Sequence, residues 1–202
     1  MKEKIKLTTI KKENYGLLEK SVLDNIVTIG MDAFGFGMTE KEILEHIYPT
    51  DKLYLAFCGE EIVGFATLTL KEYTADLTGA AVKTRFQRNG IYKALCSERV
   101  QDGLDYGDDY FELRTQNPNI ELTVRKVFDE FVARPDNNIQ SYEIERELKK
   151  ELYGRMLTAT KPLSGVKTID EMYNELNYEK GDAYRLRIKT NKPYTFYNCC
   201  EW

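Results

Sequence analysis

The chain has 202 residues, of which 42% are hydrophobic and 31% charged, a balance typical of a globular protein with a substantial core. Its net charge of -4 argues against a general nucleic-acid binder, because binding phosphates requires an excess of Lys and Arg. No apolar run reaches about 18 residues and no apolar segment follows the charged start, so we expect no membrane span, no secretory signal and a cytoplasmic protein.

The first third of the chain predicts one strand and two helices. Apolar and polar residues alternate over 5–7 as in a short strand, and apolar residues over 15–29 recur at helical spacing, with Gly30 as the stop. A second helix is predicted to begin at the capping-box sequence Thr39-x-x-Glu42. The Gly-aromatic segment 31–38 is a predicted loop.

The middle of the chain predicts four strands and two further helices. Short β-rich runs assign the strands to 53–58, 62–70, 74–82 and 110–115. Gly59-Glu60 between the first two runs indicates a hairpin. One helix follows a glycine-containing turn and extends to about residue 104, and an amphipathic helix is predicted over 120–132.

The composition changes beyond Pro135, and we predict a helical insertion over 136–180. Within it, the charges over 141–154 suit a helix, because Glu residues come early and Lys residues late along its dipole. A further helix begins at Thr168, and a last strand is predicted over 182–189. The aromatic tail that follows is expected to dock on the core.

This order predicts an α/β (α+β) fold with a mixed, mostly antiparallel central sheet flanked by helices on both faces. We expect a single domain over 1–202. Its parts are a core over 1–135, the helical insertion over 136–180, and a last strand with the aromatic tail over 181–202.

The four cysteines and the single histidine limit metal chemistry. No pair of cysteines has C-x-x-C spacing, so we expect no structural zinc site and assign no metal. Cys58 and Cys96 lie in apolar contexts and are interpreted as small core residues. Cys199 and Cys200 are expected to stay reduced, with a redox role as the alternative.

Residues 82–92, which read Val-Lys-Thr-Arg-Phe-Gln-Arg-Asn-Gly-Ile-Tyr, form the most informative segment of the chain. A strand that turns sharply into a helix points several backbone N–H groups at one spot, at the positive end of the helix dipole. Such a spot suits a phosphate or a pyrophosphate. Gly90 lets the ligand approach the backbone, and Gln87 and Arg88 add donors. An ordinary strand-to-helix turn is the simpler alternative.

The order of elements and this turn resemble the GNAT superfamily of N-acetyltransferases. The motif of that superfamily, Gln/Arg-x-x-Gly-x-Gly/Ala, begins five residues after a strand-ending Val, as Gln87 does after Val82. Tyr92 departs from the motif at its last position. The resemblance covers residues 1–132 and the last strand.

The resemblance implies how coenzyme A would bind. The backbone of Ala80, Ala81 and Val82 would bond the pantetheine arm as an added strand does. Asn117, which ends the next strand, would bond the pantetheine or a catalytic water. The amides that would hold the pyrophosphate belong to Gln87, Arg88, Asn89, Gly90, Ile91 and Tyr92.

The resemblance also implies where catalytic groups lie. An amine attacks a thioester only when it is deprotonated, so a base or a water wire to a base is required. Asp76 occupies the place of a general-base Glu in several branches of the family. The alternatives nearby are Glu72, Tyr73 and Glu112. A strand amide near Val82 would stabilise the oxyanion.

The leaving thiolate needs a second group, because the family often protonates it from a Tyr on the helix after the fifth strand. Val124 or Arg125 falls at that place here. Other proton donors, which the sequence does not rank, are Tyr153, Tyr173 and Tyr184.

These features predict an enzyme that moves an acetyl group from acetyl-CoA to a primary amine by direct attack in a ternary complex. No Cys is placed for a covalent acyl-enzyme. The amine, either a small molecule or a protein amine, the acyl-chain length and the oligomeric state stay open. The alternatives are a non-catalytic acyl-CoA-binding or regulatory module on the same fold and a turn that binds a nucleotide.

Overall fold

The computed structural model describes residues 4–35, 38–135, 139–158 and 160–192. The bounds of the helices and strands within these residues are β1 Ile5–Lys11, α1 Lys20–Phe34, α2 Glu40–Glu45, β2 Lys52–Cys58, β3 Glu61–Lys71, β4 Thr74–Asp76, β5 Ala80–Val82, α3 Ile91–Tyr106, β6 Tyr110–Thr115, α4 Pro118–Ala133, β7 Ser141–Lys149, α5 Lys167–Tyr173 and β8 Ala183–Asn191. The described helices include none that is long and apolar enough to cross a membrane.

The strands form a mixed sheet in the order β1-β2-β3-β4-β6-β8-β7, with β5 also paired to β3. β4 and β6 are parallel, and the other pairs are antiparallel. The predicted mixed, mostly antiparallel sheet is therefore confirmed. The predicted hairpin is also confirmed, since β2 and β3 meet across Gly59, whose φ of 61° lies in the left-handed region that favours glycine.

The sheet separates two hydrophobic cores, because successive residues of a strand face opposite sides. In β2, Leu53 and Leu55 pack with α1 and α2, whereas Tyr54 and Ala56 pack with α3 and α4. Helices cover both faces, as the sequence predicts. Cys96 is buried and Cys58 packs against the same core as Tyr54, which agrees with their interpretation as core residues.

Gly30 does not end the first helix, as the sequence suggests, because α1 continues to Phe34. A β-carbon at Gly30 would lie 2.7 Å from the side chain of Ile43, so this glycine lets α1 pack closely on α2. The predicted loop over 31–38 is correspondingly shorter. Phe36 and Gly37, which belong to that loop, lie outside the described residues.

The predicted helix over 141–154 is wrong, because residues Ser141–Lys149 form strand β7. Glu and Lys favour a helix locally, but apolar and polar residues alternate here with a period of two. Tyr142 and Ile144 face the core, and Glu143 and Glu145 are exposed. Pairing with β8 along all nine residues overrides the helical propensity.

Two predicted elements that follow β7 are confirmed. The helix predicted to begin at Thr168 is α5, and the predicted last strand is β8. The polar break over 136–138, the aromatic tail, and Cys199 and Cys200 lie outside the described residues.

The predicted strand over 74–82 is two strands, interrupted at Leu77-Thr78-Gly79. Both halves pair with β3, but the carbonyl of Thr78 leaves the ladder and accepts a hydrogen bond from the Thr67 hydroxyl at 2.9 Å. Gly79 adopts a φ of 31°, and from this residue onward the chain pairs with β3 again. The carbonyl of Gly79 accepts a hydrogen bond from the amide of Thr67 at 2.9 Å. This interruption lies beside the candidate site.

Candidate active site

β5 and the end of β6 diverge from a common apex. β4 and β6 pair up to Asp76 and Glu112, and the amide of Leu77 donates to the carbonyl of Glu112 at 2.7 Å. Beyond that bond β5 pairs with β3, whereas β6 pairs with β8. Every residue of both segments is described, and no ladder joins 80–82 to 113–115. We call the resulting V-shaped opening between residues 80–82 and 113–115 the slot.

The backbone of β5 presents alternate residues to the slot. The carbonyl of Gly79 and the amide of Lys83 bond to β3. Because backbone groups alternate along a strand, Ala80 and Val82 face the slot and Ala81 faces β3. Of the three β5 residues assigned to the pantetheine arm, Ala81 therefore contributes no backbone group to the slot. Arg114 of β6 faces the slot by the same alternation, two residues after Glu112.

The turn between β5 and α3 carries backbone amides without acceptors. The first bond of α3 runs from the amide of Ala94 to the carbonyl of Gly90, and no acceptor for the amides of residues 88–93 occurs in the part of the chain that the structure describes. Gly90 is the N-cap of α3 at φ 79°, with open space where a β-carbon would project. The predicted geometry for an anion at a helix N-terminus is therefore present.

Two side chains shape this turn. The side-chain amide of Gln87 donates to the carbonyl of Val82 at 3.1 Å and so joins the turn to the end of β5. Arg88 adopts φ 64°, a left-handed conformation that costs roughly 1 kcal/mol for a residue other than glycine. Such strain is common where a loop binds a ligand.

Most cations near the turn already have carboxylate partners. Lys83 and Arg85 both bind Glu61, and Lys93 binds Glu130. Arg88 is exposed and has no carboxylate partner among the described residues. It is therefore the cation best placed for a phosphate at this turn.

Tyr92, which departs from the family motif, turns towards the sheet. Its ring lies near the guanidinium of Arg99, 5.8 Å from the ring centroid, and burial raises the pKa of its hydroxyl. The side chain therefore packs under α3 and leaves the outer side of the turn open. The substitution does not obstruct the unpaired amides.

Asp76 lies at the apex of the slot, at the end of β4. It is only 3% exposed, and its Oδ2 accepts from Lys71 Nζ at 3.0 Å and from Arg114 Nη1 at 3.4 Å. Its Oδ1 has no hydrogen-bond partner in the described residues. Because Ala75 packs under α3, Asp76 faces the opposite side of the sheet.

The alternatives to Asp76 are less well placed. Glu112 is bound by Arg185 at 2.6 Å, with Arg187 nearby, so its oxygens are already engaged. Tyr73 is 64% exposed and, like Glu72, lies in the turn between β3 and β4, two or more residues before the apex. Asp76 is the carboxylate with an unpaired oxygen at the slot.

Asn117 lies at the open end of the slot and caps α4. Its Oδ1 accepts from the amide of Asn119 at 2.9 Å, while Pro118 occupies the first turn of the helix, where its missing amide costs nothing. The cap uses the oxygen of Asn117 and leaves the side-chain amide available. The two interpretations from the sequence, a helix cap and a ligand contact, are thus compatible.

The three candidate tyrosines occupy different surroundings. Tyr173 donates to the buried carboxylate of Glu121, and Tyr184 donates to the carbonyl of Met172. Tyr153 donates to the carbonyl of Arg114 at 3.1 Å, on the slot-facing edge of β6. Burial raises the pKa of Tyr153 to about 12. Tyr153 is therefore the one of the three at the slot.

An ion pair closes one side of this region. Arg155, from the loop after β7, binds Glu42 of α2 at 2.8 Å, and His46, which follows α2, lies beside Gly79. The hydrogen bonds from Thr39 and Arg155 lower the pKa of Glu42 to about 2, so the pair stays charged. The sequence did not predict this ion pair, because 113 residues separate Glu42 from Arg155.

A separate open cavity of about 670 Å³ lies at the other end of α3. Lys52, Asp102, Asp105 and Tyr106 are among its lining residues. This is the negative end of the α3 dipole, and the lining mixes both signs of charge, so the cavity is poorly suited to a phosphate.

Comparison with known proteins assigns the family. Residues 23–123 match the model of the acetyltransferase (GNAT) family. The matched residues include the slot, the turn before α3 and Asp76. The chain therefore belongs to the GNAT acetyltransferase family, as the resemblance implied. A search of curated protein sequences gives no match.

Solved structures of GNAT proteins share the fold at low sequence identity. The Escherichia coli ribosomal-protein-S18-alanine N-acetyltransferase is 13% identical, with a TM-score of 0.60 over 95% of this chain and 98% of its own. A Bacillus subtilis acetyltransferase in complex with CoA is 16% identical, with a TM-score of 0.55 over 92% and 99%. An Elizabethkingia anophelis GNAT acetyltransferase with acetyl-CoA bound is 16% identical, with a TM-score of 0.52 over 94% and 98%.

Proposed function

We propose that this protein transfers an acetyl group from acetyl-CoA to a primary amine, by direct attack of the amine on the thioester in a ternary complex. The observation that carries the proposal is the slot, whose open end leads to the unpaired amides of the turn before α3. Two solved structures with the same fold hold CoA or acetyl-CoA, which supports the choice of ligand.

The acetyl-CoA would extend along β5 as an added strand. The slot-facing backbone of Ala80 and Val82 would bond the pantetheine arm, and the amides of residues 88–93 would receive the pyrophosphate. Arg88 would neutralise part of the phosphate charge. The free side-chain amide of Asn117 would contact the pantetheine from β6. Bound in this way, acetyl-CoA would have its thioester at the apex, next to Asp76.

The amine would lose its proton towards Asp76. The unpaired Oδ1 can accept a proton directly or through one water, while Lys71 and Arg114 hold Oδ2 in place. Attack on the carbonyl carbon forms an oxyanion, which the slot-facing amide of Ala80 or Val82 would stabilise. The amine would approach from the Asp76 side of the sheet, past the Glu42–Arg155 pair.

Among the described residues, none at the place of the family's tyrosine can protonate the departing sulfur. Val124 or Arg125 falls at that place, and Val124 is fully buried and apolar, whereas Arg125 is bound to Glu121 at 2.9 Å. Tyr153 is present at the slot, but burial raises the pKa of its hydroxyl to about 12, and a thiol is a stronger acid than that, so transfer of the tyrosine proton to a thiolate is unfavourable. Tyr153 is better suited to donating a neutral hydrogen bond.

Release of free thiol from acetyl-CoA, measured against a panel of primary amines, tests the proposal. Turnover with at least one amine is the expected result. The buried Val124 gives a specific reason to consider a non-catalytic acyl-CoA-binding module instead. Tight binding of acetyl-CoA without turnover across the panel would favour that second function, and absence of binding would contradict both.

Asp76→Asn is expected to lower kcat by roughly 100-fold and to leave the affinity for acetyl-CoA unchanged, because the variant keeps the shape of the side chain and loses the base. Steady-state kinetics with the best amine measures the first quantity, and calorimetry measures the second. Glu143→Gln, which removes an exposed carboxylate from β7, serves as the control and should retain wild-type kinetics. A kcat for Asp76→Asn within twofold of the wild type would exclude Asp76 as the base.

A further inference from the structure

Arg99 is a buried arginine that has no carboxylate partner within the described ranges of the chain. It lies on α3, is fully buried, and donates from Nη1 to the carbonyls of Thr78 at 3.2 Å and Thr67 at 3.4 Å. Its Nε donates to the carbonyl of Leu95 at 3.3 Å. Its Nη2 has no hydrogen-bond partner in the described residues.

The surroundings of Arg99 do not neutralise its charge. A guanidinium stays protonated in proteins, and a buried charge without a counter-ion costs several kcal/mol. Tyr92, Cys96 and Tyr54 face it, and burial raises the pKa of each, so all three are neutral. The nearby carboxylate of Asp102 is bound by Lys52 at 2.9 Å and by the Tyr54 hydroxyl. An anion supplied by a ligand would remove this cost.

The position of Arg99 indicates which ligand could supply this anion. Thr78 follows Leu77, whose amide makes the last bond between β4 and β6, and it precedes the slot-facing Ala80 by two residues. The guanidinium therefore lies under the break between β4 and β5, on the side of the sheet that α3 covers, and this break begins directly after the apex of the slot. Asp76 lies at the same apex on the opposite side. An amine that attacks from the Asp76 side would expel the sulfur towards the Arg99 side.

We propose that Arg99 contacts the sulfur of coenzyme A and stabilises it as a thiolate when the carbon–sulfur bond breaks. The amine nitrogen forms the new bond to the acyl carbon, the electron pair of the broken bond goes to sulfur, and the proton of the amine goes to Asp76. The positive charge of Arg99 would stabilise the thiolate, and the apolar Val124 cannot protonate it. This inference rests on the proposed acetyl transfer.

The test compares the affinities of CoA and desulfo-CoA by calorimetry between pH 6.5 and pH 9. A cation beside the sulfur lowers the pKa of the bound thiol below its value in free CoA, so CoA should bind more tightly as the pH rises from the first of these pKa values towards the second. Desulfo-CoA lacks the thiol, so its affinity should not increase as the pH rises. We expect the preference of the wild type for CoA to grow by roughly tenfold, and Arg99→Gln to abolish the growth.

Two variants separate this role from a structural one. Arg99→Lys keeps the charge and should retain part of the pH-dependent preference, whereas Arg88→Gln should weaken both ligands alike. The inference is overturned if Arg99→Gln weakens CoA and desulfo-CoA equally at every pH. If Arg99→Gln does not fold, the test uses the wild type and Arg99→Lys. A wild type that binds CoA and desulfo-CoA equally at every pH also overturns the inference. A wild type that binds neither ligand contradicts the proposed function itself.

Discussion

Gly90→Glu is expected to abolish the binding of acetyl-CoA. A Glu at the N-cap of α3 would place a carboxylate beside the pyrophosphate, and two like charges about 4 Å apart near a protein surface repel by about 4 kcal/mol. That energy corresponds to a loss of affinity on the order of a thousandfold. No atom lies within 4 Å of the position of a β-carbon at Gly90, so the new side chain should fold without a clash.

Gly90→Ala is the matched control for this prediction. It carries the same backbone strain at φ 79° but adds no charge, so it should weaken acetyl-CoA far less than Gly90→Glu does. Calorimetry of the wild type and both variants measures the difference. Equal affinities for the two variants would show that the turn does not hold the pyrophosphate.

Glu121→Gln is expected to lower the free energy of unfolding by roughly 3 kcal/mol, because it removes the buried carboxylate that binds the partly exposed guanidinium groups of Arg125 and Arg146. Glu121 is fully buried and accepts from Arg125 at 2.9 Å, from Arg146 at 3.0 Å and from the Tyr173 hydroxyl at 3.3 Å. This network joins α4, β7 and α5. Urea unfolding at neutral pH measures the loss.

The pH dependence of this effect has a definite sign. Burial alone would raise the pKa of Glu121, but Arg146 and Arg125 together lower it below its ordinary value. A lowered pKa contributes stability that is present above the unfolded-state pKa of about 4.3 and is lost as the pH falls through the folded-state pKa. The difference between the wild type and Glu121→Gln should therefore shrink in acid.

Glu147→Gln controls for the loss of a carboxylate at an exposed site. Glu147 is 55% exposed and pairs with Lys149 and Arg185, so its loss should cost at most about 1 kcal/mol. If Glu121→Gln is no more destabilising than Glu147→Gln at neutral pH, the buried network does not stabilise the fold as the contacts indicate.

The turn before α3 was predictable because local chemistry determines it. Gly90 lies between a predicted strand and a predicted helix, where glycine readily takes the left-handed conformation of the N-cap, and the unpaired amides follow from the start of the helix. Asn117 was predictable for the same reason, since Asn before Pro is a strong helix start.

The interruption of the strand at Leu77-Thr78-Gly79 was not predictable, because its cause is distant in sequence. The residues themselves suit a strand, but the hydroxyl of Thr67 and the guanidinium of Arg99 bind the carbonyl of Thr78 from other elements. Strand β7 was missed for a related reason. Its Glu and Lys residues favour a helix, and only pairing with β8 makes it a strand.

Arg99 was overlooked because an arginine on a helix is normally an exposed residue. The apolar face of α3 is indistinct in sequence, so nothing there marks position 99 as buried. Its role depends on the packing of α3 under β3 and β5, which brings its side chain to the carbonyls of Thr67 and Thr78.

A crystal structure of the protein with CoA tests the central claim most directly. The account predicts that the pantetheine runs between β5 and β6, that the pyrophosphate accepts from the amides of residues 88–93, and that the sulfur lies at the apex between Asp76 and Arg99. CoA bound at another surface, with β5 and β6 closed on each other along 80–82 and 113–115, would contradict it.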